Sequence, residues 1–177
     1  TAEAERLGNA GFTVTKDPTF LVRLGTVRER AGNHSGAATA WGQAEVLLRS
    51  EIDNGRYGHR IELARVLLSR GGSERSREAL TLSAAELDRR RAAEILSVHA
   101  WGLLANGDAA GARVAVREAL ASGVRSAELY LRAADAEAAA GDKKRSRFYR
   151  DLAARTDLTL PDLSRETPAV PVRAEQG

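Results

Sequence analysis

Residues 94–123 read EILSVHAWGLLANGDAAGARVAVREALASG, and the reading of this stretch decides the fold. Leu96, His99, Ala100 and Leu103 fall at i, i+3, i+4 and i+7, the spacing of one helix face. After Asn106-Gly107-Asp108 the same spacing starts again with Ala112, Ala115, Val116 and Ala119. Two amphipathic helices joined by so short a break must fold back as an antiparallel hairpin. Small residues on the facing stripes let the two backbones approach closely. A larger side chain at Ala112 or Ala119 would overpack that crossing by about 1–3 kcal/mol. Gly107 closes the first helix where a β-carbon would cost energy.

The unit recurs on both sides. Residues 1–10 read as the last turns of a helix ending at Gly8-Asn9, with a loop over 11–16, so that 1–16 forms the end of a preceding helix and its loop. Asp17 as N-cap and Pro18 at the first helical position open a helix over 18–30, with Leu21, Leu24, Gly25 and Arg28 on one stripe. A second helix over 35–50 carries Ala37, Trp41, Ala44, Leu47 and Leu48. A loop follows over 53–56. The next arms span 57–70, with Leu63, Ala64 and Leu67 inward, and 73–89, joined at Gly71-Gly72. The last pair spans 127–140 and 143–154, broken at Gly141-Asp142. The chain thus divides into 1–16, a helical domain over 17–156, and a tail over 157–177. That tail holds three prolines and no helical period and reads as extended or disordered.

Composition agrees. A chain of 177 residues is one ordinary domain or one stretch of a repeat array. Hydrophobic residues make up 43% but aromatics only 5%, which suits helices packed at short range better than a sandwich or barrel. All-α is the fold class. The net charge of +3 is spread over 29% charged residues of both signs, which describes a solvated surface and not a nucleic-acid footprint. The absence of cysteine excludes disulfides, thiolate metal sites and cysteine nucleophiles, and leaves the redox compartment open. No apolar run approaches the roughly 18 residues of a membrane helix. The chain opens at Thr1 with no initiator Met or signal-like segment and reads as a fragment or a mature form.

The turn glycines Gly32, Gly71, Gly107 and Gly141 lie 39, 36 and 34 residues apart, periods that mark a helical solenoid. Around them the residues resemble the tetratricopeptide repeat. In the first full unit Leu21, Leu24-Gly25, Gly32-Asn33, Ala37, Trp41 and Ala44 fill the family's pattern. In the third, Leu96, Ala100, Leu103, Gly107-Asp108, Ala112, Val116 and Ala119 do so. In the fourth, Tyr130, Ala134, Gly141-Asp142 and Ala153 match, while Ser146 and Arg150 depart. In the second, Leu63-Ala64, Leu67 and Gly71 match, and the returning helix reads as out of register by about two or three residues. The resemblance covers 18–154, and the order of units is similar to the C-terminal part of larger bacterial tetratricopeptide proteins, with further units upstream.

This resemblance implies a right-handed α-solenoid of about four antiparallel helix pairs, each stacking on the next to bury a face it cannot bury alone. It also implies a concave groove lined by first-helix residues that binds a peptide or protein segment without catalysis. Those residues are Val22, Thr26, Glu29 and Arg30 in unit one, and Ile61, Arg65 and Leu68 in unit two. In units three and four they are Ser97, Trp101, Leu104, Leu131, Asp135 and Ala138. Trp101 stands off the core stripe and is either a binding anchor or packing against the next unit's helix. The lysine and asparagine clamp with which the family holds a C-terminal carboxylate has no counterpart at these positions.

No metal or cofactor is called for: His34, His59 and His99 fall at a turn, a helix start and a core stripe, with no carboxylates at ligand spacing. His99 reads as a buried-edge residue with one hydrogen bond. No catalytic triad order, phosphate-cradling loop or zinc helix motif appears. Arg89-Arg90-Arg91 and the cluster Lys143, Lys144, Arg145, Arg147 and Arg150 carry the alternative, a nucleic-acid-binding repeat; a solvated surface is the reading favoured for them.

Overall fold

The structure, a computed structural model, describes residues 2–157. The expected extended tail lies outside the described residues from residue 158 onward. The described elements are all helical: α1 (Ala2–Thr15), α2 (Thr19–Arg30), α3 (His34–Asp53), a 3-10 turn (Tyr57–His59), α4 (Arg60–Arg70), α5 (Ser73–Leu87), α6 (Ala93–Ala105), α7 (Ala109–Ala121), α8 (Ala127–Ala139) and α9 (Lys143–Thr156). No strand occurs among the described residues.

Each helix packs on the helices before and after it in the chain. Beyond that, α2 touches α4, α4 touches α6 and α6 touches α8, whereas α3, α5, α7 and α9 make no such next-but-one contacts. The even-numbered helices therefore form an inner row and the odd-numbered ones an outer row, and no helix reaches further along the chain. Contacts confined to near neighbours are the signature of a repeat array and not of a closed bundle.

One register runs through all four hairpins. Five residues after the turn glycine stand Ala37, Ser76, Ala112 and Ser146, and twelve after it Ala44, Ser83, Ala119 and Ala153; all eight are buried. The second unit is thus in register, contrary to the expectation from sequence. Serine replaces alanine at both of its closest-approach positions, and a hydroxyl fits where a small side chain is required. Ser83 satisfies its hydroxyl on Leu80 O at 3.0 Å.

Three hairpins turn with a capped glycine. Gly32, Gly107 and Gly141 take φ of 77°, 84° and 84°, and the next residue caps the returning helix. Asn33 Oδ1 accepts from Gly36 N at 2.9 Å, Asp108 Oδ1 from Gly111 N at 2.8 Å, and Asp142 Oδ1 from Arg145 N at 2.9 Å. The second unit turns on Gly71-Gly72, both at positive φ, and α5 starts without a side-chain cap. The longer first period is taken up partly by helix: α3 runs to Asp53, past the expected end near residue 50, and is 20 residues long where α7 has 13.

A β-carbon at Gly107 would meet nothing within 4 Å, so substitution there is penalised through the backbone alone. Gly107→Val should lower the melting temperature by about 2–8 °C, given roughly 1–2 kcal/mol for a left-handed non-glycine residue. Gly107→Asn should recover part of the loss, since Asn tolerates that conformation. Equal melts for the valine variant and the parent would contradict this account of the turn.

The N-terminal expectation is corrected. Helix α1 does not end at Gly8-Asn9 but runs to Thr15, and Lys16, at φ 58°, closes it. Gly11 serves close approach. A β-carbon at Gly11 would lie 2.8 Å from Phe20 Cζ and closer still to the ring's Cδ1 and Cε1, and one at Gly8 would touch Leu24. Thr13 and Thr15 hydroxyls bond back to Asn9 O and Gly11 O at 2.8 Å, so the last turn carries its own polar groups. Pro18, and not Asp17, is the N-cap of α2, which starts one residue later than expected; Asp17 Oδ1 accepts from Thr19 N at 2.8 Å just before it.

The core follows the stripes read from sequence, but α4 and α6 are enclosed further round than one stripe. Ile61, Val66 and Leu68 join Leu63, Ala64 and Leu67 on α4, and Ile95, Ser97 and Val98 join Leu96 and Ala100 on α6. A helix apolar on several faces is one covered on several faces. These two are the inner helices with a neighbour on each side in both rows.

Candidate binding groove

The inner row runs parallel, because every second helix of an antiparallel array points the same way. Equivalent residues therefore form columns across it. The column six residues before each turn glycine holds Thr26, Arg65, Trp101 and Asp135, and all four keep some exposure. The column ten before holds Val22, Ile61, Ser97 and Leu131: Ile61 and Ser97 are buried, and Val22 and Leu131 are half-buried. Three before the glycine stand Glu29 and Ala138, exposed, Leu104, half-buried against the core, and Leu68, buried; Arg30 is exposed at the end of α2. Of the residues expected to line the groove, Ile61, Leu68 and Ser97 are thus taken up by inter-helix packing. Of these three columns, that of Trp101 is the one accessible along its whole length.

Of the two roles the sequence left open for Trp101, the structure shows packing against the next unit's helix. The indole packs against the core, and the Arg132 guanidinium of α8 lies over its ring at 4.1 Å, so the next unit's helix is its neighbour. Part of the indole remains exposed. A cation this close to a Trp face and partly desolvated contributes on the order of 1–2 kcal/mol. Arg132 also lies 3.7 Å from Asp135, whose other partner is Arg150 of α9 at 3.1 Å. Burial holds the Arg132 guanidinium below its ordinary value and raises the Asp135 carboxyl above its own; Arg132 and Arg150 pull the latter back.

A second cluster crosses three helices at the N-terminal edge of the inner row. Arg65 of α4 donates from Nη2 to Glu94 Oε1 of α6 at 3.2 Å and from Nη1 to Glu128 of α8. Glu62, one turn before Arg65, faces the same group, and its carboxyl is raised by burial and by the charge of Glu94. Burial opposes the charge on Arg65, and Glu128, with Glu94 and Glu62, outweighs it. Carboxylates in the first turn of a helix are stabilised by its free N–H groups, which accounts for Glu62, Glu94 and Glu128 all standing there. Only Arg65 of this group was singled out from sequence. The signal for the rest was present: an acidic residue recurs near the start of each of α4, α6 and α8.

Three of the eight basic residues set aside for the alternative reading have carboxylate partners. Arg145 reaches buried Glu137 at 3.7 Å, Arg150 reaches Asp135, and Arg91 pairs with Glu118 at 2.7 Å. Lys143, Lys144 and Arg147 line a shallow depression on α9 with Phe148 and Asp151. The histidines are dispersed. His34 meets Glu29 and His59 meets Glu51, while His99, half-buried, shares a 3.0 Å hydrogen bond with Ser83. Among the described residues no group of three or more His, Asp or Glu is placed to hold a metal ion, and no helix is long and apolar enough to cross a membrane.

No protein-family model matches the chain, and no curated protein matches it in sequence.

Proposed function

We propose that this is a non-enzymatic interaction module of tetratricopeptide type that holds a peptide or partner segment along its inner row of helices. The observation that carries the reading is Trp101, a partly exposed aromatic centred in the accessible column Thr26, Arg65, Trp101, Asp135. Support comes from the neighbour-only packing and from the shared register of four hairpins. An indole held by Arg132 loses little side-chain freedom when a ligand covers it, which is the usual condition of a hot spot.

The test is a selection of displayed twelve-residue peptides on the chain, scored on Trp101→Ala and Trp101→Phe. Binding should fall by roughly tenfold or more with alanine and by less with phenylalanine, the size of effect expected at a hot spot. Melts of both variants separate lost binding from lost folding. Selected peptides indifferent to both changes would remove the groove from this reading.

One observation favours a nucleic-acid-binding repeat instead: Phe148 stands exposed among Lys143, Lys144 and Arg147, an aromatic flanked by cations. Stacking and phosphate contacts could use it. Such binding would weaken by decades as salt rises, whereas peptide binding in the groove would respond shallowly.

A further inference from the structure

Resting on that reading of the groove, we infer that the partner segment is cationic, with lysine or arginine side chains docking on Glu94 and Glu128 beside Trp101, in the place Arg65 now occupies. Three carboxylates, Glu62, Glu94 and Glu128, face two guanidiniums at this edge, Arg65 and, beside Glu128, Arg132, so the cluster keeps one formal negative charge in excess. Their exposures differ in the direction a ligand site requires. Glu94 and Glu128 side chains are 59% and 49% exposed, while Arg65 between them is 19% exposed. The carboxylates present unused acceptor positions to solvent, and the internal cation lies beneath them.

A second observation lies on the same stripe of α6. Glu94, Ser97 and Trp101 fall at i, i+3 and i+7, which puts the serine between the acid and the indole. Ser97 is 4% exposed, and its Oγ has no hydrogen-bond partner among the described residues. A buried hydroxyl without a partner is costly, and an ammonium or guanidinium that opened the packing over Ser97 on entering between Glu94 and Trp101 would bring the missing donor. The Trp101 ring already accepts one cation, Arg132, over its face, the electron-rich part of the ring to which a second cationic side chain would also be drawn. Arg65 then acts as an internal stand-in. It satisfies Glu94 and Glu128 in the free protein and must yield them when a basic segment arrives.

The displayed-peptide selection tests this through composition and through the sign of one variant. Trp101-dependent peptides should be enriched in lysine and arginine. Synthetic, fluorescein-labelled copies should bind Glu94→Gln/Glu128→Gln more weakly by roughly three- to tenfold, the range for two exposed charge pairs. Arg65→Ala should bind them more tightly, because the competing cation is gone. Trp101-dependent peptides that are acidic or neutral, or whose affinity ignores the double glutamine change, overturn the inference and leave the groove standing. Weaker binding to a folded Arg65→Ala does the same, since it makes Arg65 a contact for an anionic ligand. If Arg65→Ala fails to fold, the exposed glutamates decide alone. A selection yielding no Trp101-dependent peptide overturns the groove reading and this inference with it.

Discussion

Gly25→Ala should destabilise the protein by about 1–3 kcal/mol, while Gly42→Ala should stabilise it by up to about 1 kcal/mol. Both glycines lie inside helices, where alanine is favoured over glycine by about 1 kcal/mol through backbone entropy. At Gly42 nothing lies within 4 Å of an added β-carbon, so that gain stands unopposed. At Gly25 the β-carbon would lie 2.8 Å from Trp41 Cε2 and closer still to Nε1 and Cδ1. The indole cannot step aside. It is buried, and its Nε1 donates to Val22 O at 3.2 Å. Strain of about 1–3 kcal/mol and a lost buried hydrogen bond of about 1 kcal/mol together exceed the propensity gain. Denaturant midpoints of the two variants should therefore move in opposite directions. A Gly25→Ala protein as stable as its parent would mean that the α2–α3 crossing does not depend on the indole lying over residue 25.

That crossing also shows why so much of the architecture was legible in the residues. The pairing of Leu24-Gly25 with Trp41, and of the turn glycine with Asn33, Asp108 or Asp142, consists of local requirements, each met by one residue type at one spacing. Legibility failed where one physical role can be filled by several residue types. Ser76 and Ser83 look polar, but they are small, and size is what the closest approach demands. Gly8-Asn9 look like a helix terminator and Gly11 like a loop residue, but the helix runs on, and Gly11 makes room for Phe20, which no local pattern announces.

The groove was harder still. Burial on the inner row depends on how many neighbours a helix has, and that is a property of the array. Ile61, Leu68 and Ser97 stand in the same columns as Val22, Glu29 and Leu131, yet they are covered because α4 and α6 are internal. A clue was present in the apolar runs Val66-Leu67-Leu68 and Ile95-Leu96, which exceed one stripe. The acidic edge and the Arg132–Trp101 contact needed coordinates, because they join residues on different hairpins.

The last hairpin is held by an ion cluster whose members should respond unequally to mutation. Glu137 of α8 is 2% exposed, at a position that the second and third units fill with Leu67 and Leu103 and the first with Arg28. Arg113 of α7 is its nearest cation at 3.0 Å; Arg145 of α9 and Arg117 of α7 lie at 3.7 and 4.0 Å. Arg113 is 29% exposed, and the other two are about half exposed. If Glu137 is neutralised, three arginines can turn to water, so Glu137→Gln should cost about 1 kcal/mol. If Arg113 is removed, the carboxylate stays enclosed and must rely on partners almost an ångström further away. Arg113→Met should therefore cost about 2–3 kcal/mol, somewhat below the roughly 3–5 kcal/mol of a fully stranded buried charge. Replacing both by methionine should return most of that stability, because an apolar pair in such a site is often as good as the ion pair. The consequence reaches the groove, since α8 carries Arg132 over Trp101 and Asp135 beside it. In a chain whose helices touch only near neighbours, loosening this hairpin should weaken the proposed peptide binding at Trp101 before it unfolds α2 and α3. Hydrogen exchange would read that order directly. A glutamine variant less stable than Arg113→Met, or uniform loss of protection along the chain, would contradict both the cluster's asymmetry and the independence of the units.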